Sequence, residues 1–263
     1  MKDEVLKMGL FGKKRRHSSF SEKGLEKTLH KNLEFTAAEQ YKLLRANLDF
    51  TLPAGEKCPV IGVTSSVRGE GKSTTSINLS YVIAEKGSKV LLIDGDLRIP
   101  SIAKKMELEN TCGLTDFLLN NEIPVDSFKT NILDNWYIIP SGNIPPNPSE
   151  LLGSQRMEAV LNEFKKQFDY IVVDLPPVNV VSDAISISRL ISGMIIVVRE
   201  DYTEKKELQR CVRQLKLSNA KVLGYVMNGS KSGGGSYSKY KKYKYYKYYK
   251  YYQSTNDVKG NSK

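Results

Sequence analysis

The sequence predicts an α/β fold, a mostly parallel sheet flanked by helices on both faces. Three observations carry that prediction. Six short β-rich runs recur along the chain, several apolar at every position, as strands covered on both faces require. Helix-length segments separate many of them, and strand, helix, strand repeated in this way implies parallel pairing. Glycine-rich and acidic motifs fall at the C-terminal ends of the runs, where open α/β sheets bind their ligands.

In chain order, the predicted strands span residues 60–64, 89–94, 136–140, 170–174, 193–198 and 221–227. Helices are predicted over 73–86, 155–167, 182–190 and 203–217, with a further N-terminal helix over 39–47. The globular domain is read as 33–229, preceded by a basic flexible arm over 1–32 and followed by a flexible tail over 230–263.

Charge is segregated along the same boundaries. Residues 1–31 carry nine Lys or Arg against four acids, and residues 231–263 carry nine lysines against one acid. The two ends therefore hold +5 and +8 of the net +11, which leaves the domain at −2. A basic nucleic-acid-binding fold is not implied, because the positive charge lies on the arms. Cys58, Cys112 and Cys211 lack paired spacing, which argues against a disulfide framework or a zinc site and for buried or inert thiols. The longest apolar runs fall well short of the roughly 20 residues that span a bilayer, and the charged N-terminus does not read as a secretory signal. A cytoplasmic chain is expected, reaching a membrane through a partner or weakly through basic segments such as Lys13–Arg16.

The first motif, Ser66-Val67-Arg68-Gly69-Glu70-Gly71-Lys72-Ser73-Thr74, follows an apolar strand and opens a helix. That placement makes it a phosphate-binding loop of deviant Walker A form, with Ser66 at the position of the first glycine. Backbone amides would cradle phosphate, Lys72 would reach the terminal phosphates, and the Ser73 hydroxyl could ligate magnesium. The second motif, 91–98 (LLIDGDLR), ends a strand with Asp94 and Asp96. These acids either form a salt bridge or cap, or hold magnesium and accept the proton of an attacking hydroxyl. The third, 170–177 (YIVVDLPP), places Asp174 as a Walker B carboxylate. Arg98 could meet phosphate or pair with the acids beside it.

The tail segment 237–252 interleaves six lysines with Tyr237, Tyr240, Tyr243, Tyr245, Tyr246, Tyr248, Tyr249, Tyr251 and Tyr252. It has no aliphatic partners with which to build a core. Beside an ATP site, these hydroxyls read as phosphoacceptors. Tyr41, Tyr81, Tyr137, Tyr170, Tyr202 and Tyr225 fall in or beside predicted elements and read as structural.

Together, the phosphate loop, LLIDGDLR, IVVDLPP and the terminal tyrosine cluster resemble the bacterial tyrosine kinases of capsular and exopolysaccharide synthesis, of the Gram-positive type. Segments 143–153 (NIPPNPSELLG) and 39–47 (EQYKLLRAN) add to the likeness. The resemblance implies a P-loop NTPase fold, ATP and Mg2+ as cofactors, and autophosphorylation of the tail between subunits. It gives Lys72 to phosphate, Ser73 and Asp174 to magnesium, and Asp94 and Asp96 to shared metal and base duties, with Asp94 favoured as base. Asn228 resembles the position that reads adenine in related ATPases, or is a turn asparagine, and Glu39, Lys42 and Arg45 are given to contacts within a homo-oligomeric ring, the alternative being a surface helix with i,i+3 charge pairs. Lys42 stands where arginine is usual in that motif. Implied partners are a membrane-embedded polysaccharide co-polymerase that activates the kinase on a separate chain, and a tyrosine phosphatase. Two other readings remain. A division-site or partition ATPase shares the loop type but usually carries lysine where Val67 stands, and a nucleic-acid or anionic-polymer binder could use the Lys/Tyr tail.

Overall fold

A computed structural model describes residues 33, 35–52, 55–108, 112–119 and 124–229 of the chain. The strands are β1 (Val60–Ser65), β2 (Val90–Asp94), β3 (Trp136–Ile139), β4 (Tyr170–Asp174), β5 (Gly193–Arg199) and β6 (Val222–Asn228). They form one sheet in the order β3-β2-β4-β1-β5-β6, parallel throughout. The α-helices are α1 (Phe35–Thr51), α2 (Lys72–Glu85), α3 (Ile102–Lys105), α4 (Leu114–Leu118), α5 (Pro148–Leu152), α6 (Gln155–Lys165), α7 (Asp183–Ser186) and α8 (Lys205–Leu217).

Alternation along the strands divides the core into two layers. Ile61, Val63, Leu92, Val172 and Ile195 face the side covered by α1 and α2, where Leu48, Ile77 and Val82 meet them. Val60, Leu91, Ile93, Ile171 and Ile196 face the opposite side, against Phe117, Leu161, Phe164 and Leu215. Both faces of the central strands are thus dry, which explains their unbroken apolar sequence. Trp136 is fully buried and satisfies its indole N–H by donating to Ser80 Oγ at 3.1 Å.

This topology sets the functional residues side by side. Register pairs Asp94 with Asp174 at the ends of β2 and β4, and Val63 of β1 with Asp174 on the other flank. The loop from β1 to α2 therefore opens beside two adjacent carboxylates. Gly95 lets the chain turn away directly after Asp94. Its amide donates to Asp174 O at 2.8 Å, and a Cβ there would lie 2.9 Å from that same oxygen.

Cys58 and Cys211 are buried as expected, whereas Cys112 is exposed. No helix among the described residues is long and apolar enough to cross a membrane. The expected arm, 1–32, and the whole of the expected tail, 230–263, lie outside the described residues.

Candidate active site

Residues 66–71 form the turn between β1 and α2 and 72–74 open the helix, with Gly71 at the N-cap in the left-handed region, φ 96°. Among the described residues, the amides of Gly69 through Thr74 meet no hydrogen-bond acceptor of the chain. Their donors are concentrated at the positive end of a 14-residue helix, which is the physical make-up of an anion cradle. The Lys72 ammonium lies at the start of that helix, 2.9 Å from Asp96 Oδ2 and 3.6 Å from Asp174 Oδ2. Burial lowers its pKa, but the charges of Asp174 and Asp96 outweigh this and leave it raised, so it stays charged.

The carboxylates have different environments. Asp174 is fully buried. Its Oδ1 accepts from Ser76 Oγ at 3.1 Å, the Ser73 hydroxyl also bonds the carboxylate, and Oδ2 has no hydrogen-bond partner. Burial pushes its pKa up against the Lys72 charge and the two serine hydrogen bonds. Asp94 is also fully buried, and both its oxygens accept backbone amides: Oδ1 from Asp96, and Oδ2 from Ser101 and Ile102 at the start of α3. Burial and then the neighbouring Asp174 raise it to about 7, against the Ile102 amide, Lys72 and the Ser101 amide. Asp96 bonds Lys72 through Oδ2 and the Ile99 amide, at 3.0 Å, through Oδ1.

Two loop side chains turn inward. The Glu70 carboxylate is fully buried and accepts from Ser66 Oγ, from the Val67 amide at 2.8 Å and from Thr203 Oγ1. The Ser66 and Glu70 side chains thus brace the loop, leaving the Glu70 amide among those that meet no acceptor. The loop's outer side is contacted from the ends of β5 and β6, where Tyr202 Oη donates to Arg68 O, Arg199 Nη1 to Gly69 O and Asn228 Nδ2 to Glu70 O.

Magnesium fits this donor set. Asp174 Oδ2 is a buried acceptor without a hydrogen-bond partner, and the Ser73 hydroxyl bonds the same carboxylate. Among the described residues no three His, Cys, Asp or Glu side chains gather at ligating spacing. Few protein ligands, completed by phosphate oxygens and water, is how magnesium usually binds.

The AAA domain family matches residues 58–223. The chain is 37% identical over 194 residues to tyrosine-protein kinase YwqD of Bacillus subtilis, covering 74% of this chain and 81% of that protein. It is 38% identical over 202 residues to tyrosine-protein kinase CpsD of Streptococcus pneumoniae serotype 4, covering 75% and 87% respectively. The chain belongs to the bacterial tyrosine-protein kinase family. The kinase domain of Escherichia coli tyrosine kinase ETK superposes with a TM-score of 0.74 at 28% identity, over 86% of this chain and 88% of that one. Of the functions the sequence offered, a P-loop tyrosine kinase is the one these relatives support.

Beside this candidate site, Arg98 pairs not with the acids next to it in sequence but with a distant one. Its Nε and Nη2 donate to the two oxygens of buried Asp183 at 2.9 and 3.1 Å, and Ser149 Oγ also donates to Asp183. On α1, Lys42 pairs with Glu39 at 2.9 Å, and Arg45 Nη1 donates to Val82 O of α2. These three residues make contacts within their own chain. The tyrosines of 237–252 lie outside the described residues.

The sequence did not single out Ser76, Asp183, Arg199 or Thr203. Asp183 and Arg199 have no motif signature, since each acts on a partner at least 85 residues away in sequence. Ser76 could have been found as the residue one turn after Lys72, where a helix brings side chains together.

Proposed function

We propose that the protein is an ATP- and magnesium-dependent tyrosine autokinase that phosphorylates the cluster 237–252 of a neighbouring copy. The observation that carries this reading is the Lys72 ammonium, held between Asp96 and Asp174 at the head of a row of unpartnered amides. Those amides and Lys72 bind the phosphates and stabilise charge on the transferring group. Ser73 and Asp174 would hold magnesium, which when bound neutralises the β- and γ-phosphate oxygens.

A tail tyrosine hydroxyl attacks the γ-phosphorus in line, the bond to the β–γ bridging oxygen breaks, and the phenolic proton passes to a carboxylate. Asp94, raised to about 7, is suited to take that proton near neutrality. Its two oxygens already accept three amides, but a carboxylate has about four lone-pair positions, so one remains. Asp96 positions Lys72 and shares the metal's outer ligands.

The setting follows from the family resemblance. A membrane-embedded polysaccharide co-polymerase recruits and activates the kinase at the inner face of the membrane, Glu39, Lys42 and Arg45 join copies into a ring, and a tyrosine phosphatase resets the tail. The cycle would regulate capsular or exopolysaccharide synthesis.

Incubation of the full chain with ATP, in magnesium or in EDTA, followed by mass-spectrometric mapping of phosphotyrosine, tests the reading. Phosphate is expected on 237–252 only with magnesium. Lys72→Met should lower the rate by at least about 10²-fold while leaving the circular dichroism spectrum unchanged. Wild-type labelling in that variant would remove the assignment.

A further inference from the structure

Three consecutive carbonyls of the phosphate loop, those of Arg68, Gly69 and Glu70, each accept a hydrogen bond from a side chain at the ends of β5 and β6. Tyr202 Oη donates to the first at 3.0 Å, Arg199 Nη1 to the second at 3.0 Å and Asn228 Nδ2 to the third at 2.9 Å. The Arg199 guanidinium stacks on the Tyr202 ring, 5.2 Å from its centroid, so two of the three donors also brace each other. The contact is close: a Cβ at Gly71 would lie 1.9 Å from Asn228 Nδ2, and one at Gly69 would lie 3.2 Å from Tyr202 Oη.

Peptide geometry turns these contacts into a statement about the opposite side of the loop. All described peptide bonds are trans, and in a planar trans peptide the C=O and the following N–H point in opposite directions. Holding the carbonyls of residues 68, 69 and 70 therefore aims the amides of Gly69, Glu70 and Gly71 away from the strand ends. These belong to the set of amides without a partner in the chain.

We infer that Arg199, Tyr202 and Asn228 form a positioning clamp that orients the loop amides of Gly69, Glu70 and Gly71 onto the phosphates of the nucleotide. The inference rests on the phosphate-binding role proposed above and reassigns Asn228. Its amide nitrogen is used on the loop backbone, so its contribution is to phosphate affinity and not to reading the base. Preorganised amides bind phosphate without first losing peptide-plane freedom, so releasing one carbonyl weakens the cradle rather than abolishing it.

The experiment measures dissociation constants of the full chain for fluorescently labelled ATP and GTP in magnesium, with thermal unfolding as a check on folding. Tyr202→Phe deletes one hydroxyl and keeps the ring under Arg199, and Asn228→Ala deletes the third donor. Each is expected to weaken ATP and GTP by the same factor, about three- to tenfold, leaving their ratio at the wild-type value. Arg199→Lys, which keeps a donor and the charge, should recover part of what Arg199→Ala loses. A selective loss of ATP over GTP in Asn228→Ala would return that residue to base recognition and break the clamp. Unchanged affinities in both Tyr202→Phe and Asn228→Ala, with wild type binding normally, would overturn the clamp alone. A wild-type chain that binds neither nucleotide would overturn the phosphate site and the clamp together.

Discussion

At the residue scale, the active site is defined by how unequally the structure treats three aspartates. Asp94 and Asp174 sit in register on adjacent strands, both fully buried, with the Lys72 ammonium near them. Two like charges at this depth hold protons tightly. The native state keeps a proton on Asp94 up to about pH 7, whereas in the unfolded chain an aspartate releases it near pH 4. Between those values the native state binds more protons than the unfolded one, so stability falls as pH rises through the window. Thermal unfolding of the wild type in EDTA should therefore lose stability between about pH 4 and 7 relative to Asp94→Asn, which cannot titrate there. Parallel profiles for the two proteins would show that Asp94 is ionised throughout. The motifs themselves made these acids visible, because a carboxylate ending an apolar strand is common alone but not twice in order after a phosphate loop. Their division of labour was not visible, since it depends on amides at Ser101 and Ile102 that reach Asp94 across a turn.

At the scale of elements, all six strands were legible to within one residue at either end, and β4 coincides with its expected span. Strands buried on both faces are written as apolar runs that no loop imitates. Helix ends were less legible for local reasons. Helix α8 starts at Lys205 rather than at 203, because Glu204 is extended (ψ 138°) and the Thr203 hydroxyl is turned to Glu70. The segment 182–190 breaks into α7 and a short 3-10 turn, Ser188–Leu190. Helices α3, α4 and α5 have four or five residues each, too few for a periodic pattern to show. One tie between such short elements is testable. Arg98, on the loop after β2, pairs with Asp183 at the start of α7, and Ser149 of α5 bonds the same carboxylate. Asp183 is fully buried while Arg98 is partly exposed, so Arg98→Ala leaves an under-compensated charge inside. A loss of about 1–3 kcal/mol is expected, read as a lower urea midpoint at unchanged slope. An unchanged midpoint would show that Ser149 and solvent suffice for Asp183.

At the scale of the whole molecule, the composition separates a near-neutral catalytic domain from a tail of charge +8 carrying the proposed acceptors. From Met227 to Tyr240 is 13 residues, a reach of at most about 43–47 Å when fully extended. Each phosphate adds roughly −1.5 to −2 charges, so four or five would cancel the tail's positive charge and change its attraction to acidic surfaces. Transfer between copies is separable from transfer within one. A Lys72→Met chain keeps its tyrosines but lacks the phosphate-binding ammonium, and a chain truncated after residue 229 keeps the site but lacks acceptors. Neither should label alone, and mixed with ATP and magnesium the Lys72→Met tail should acquire phosphate. Arg45→Ala in both chains should reduce that labelling if α1 joins the copies, because Arg45 must then leave Val82 O for a neighbour. If the mixture stays unlabelled while the two chains co-sediment and the wild type labels fully, each tail serves its own site, and the charge switch would have to act within a single copy.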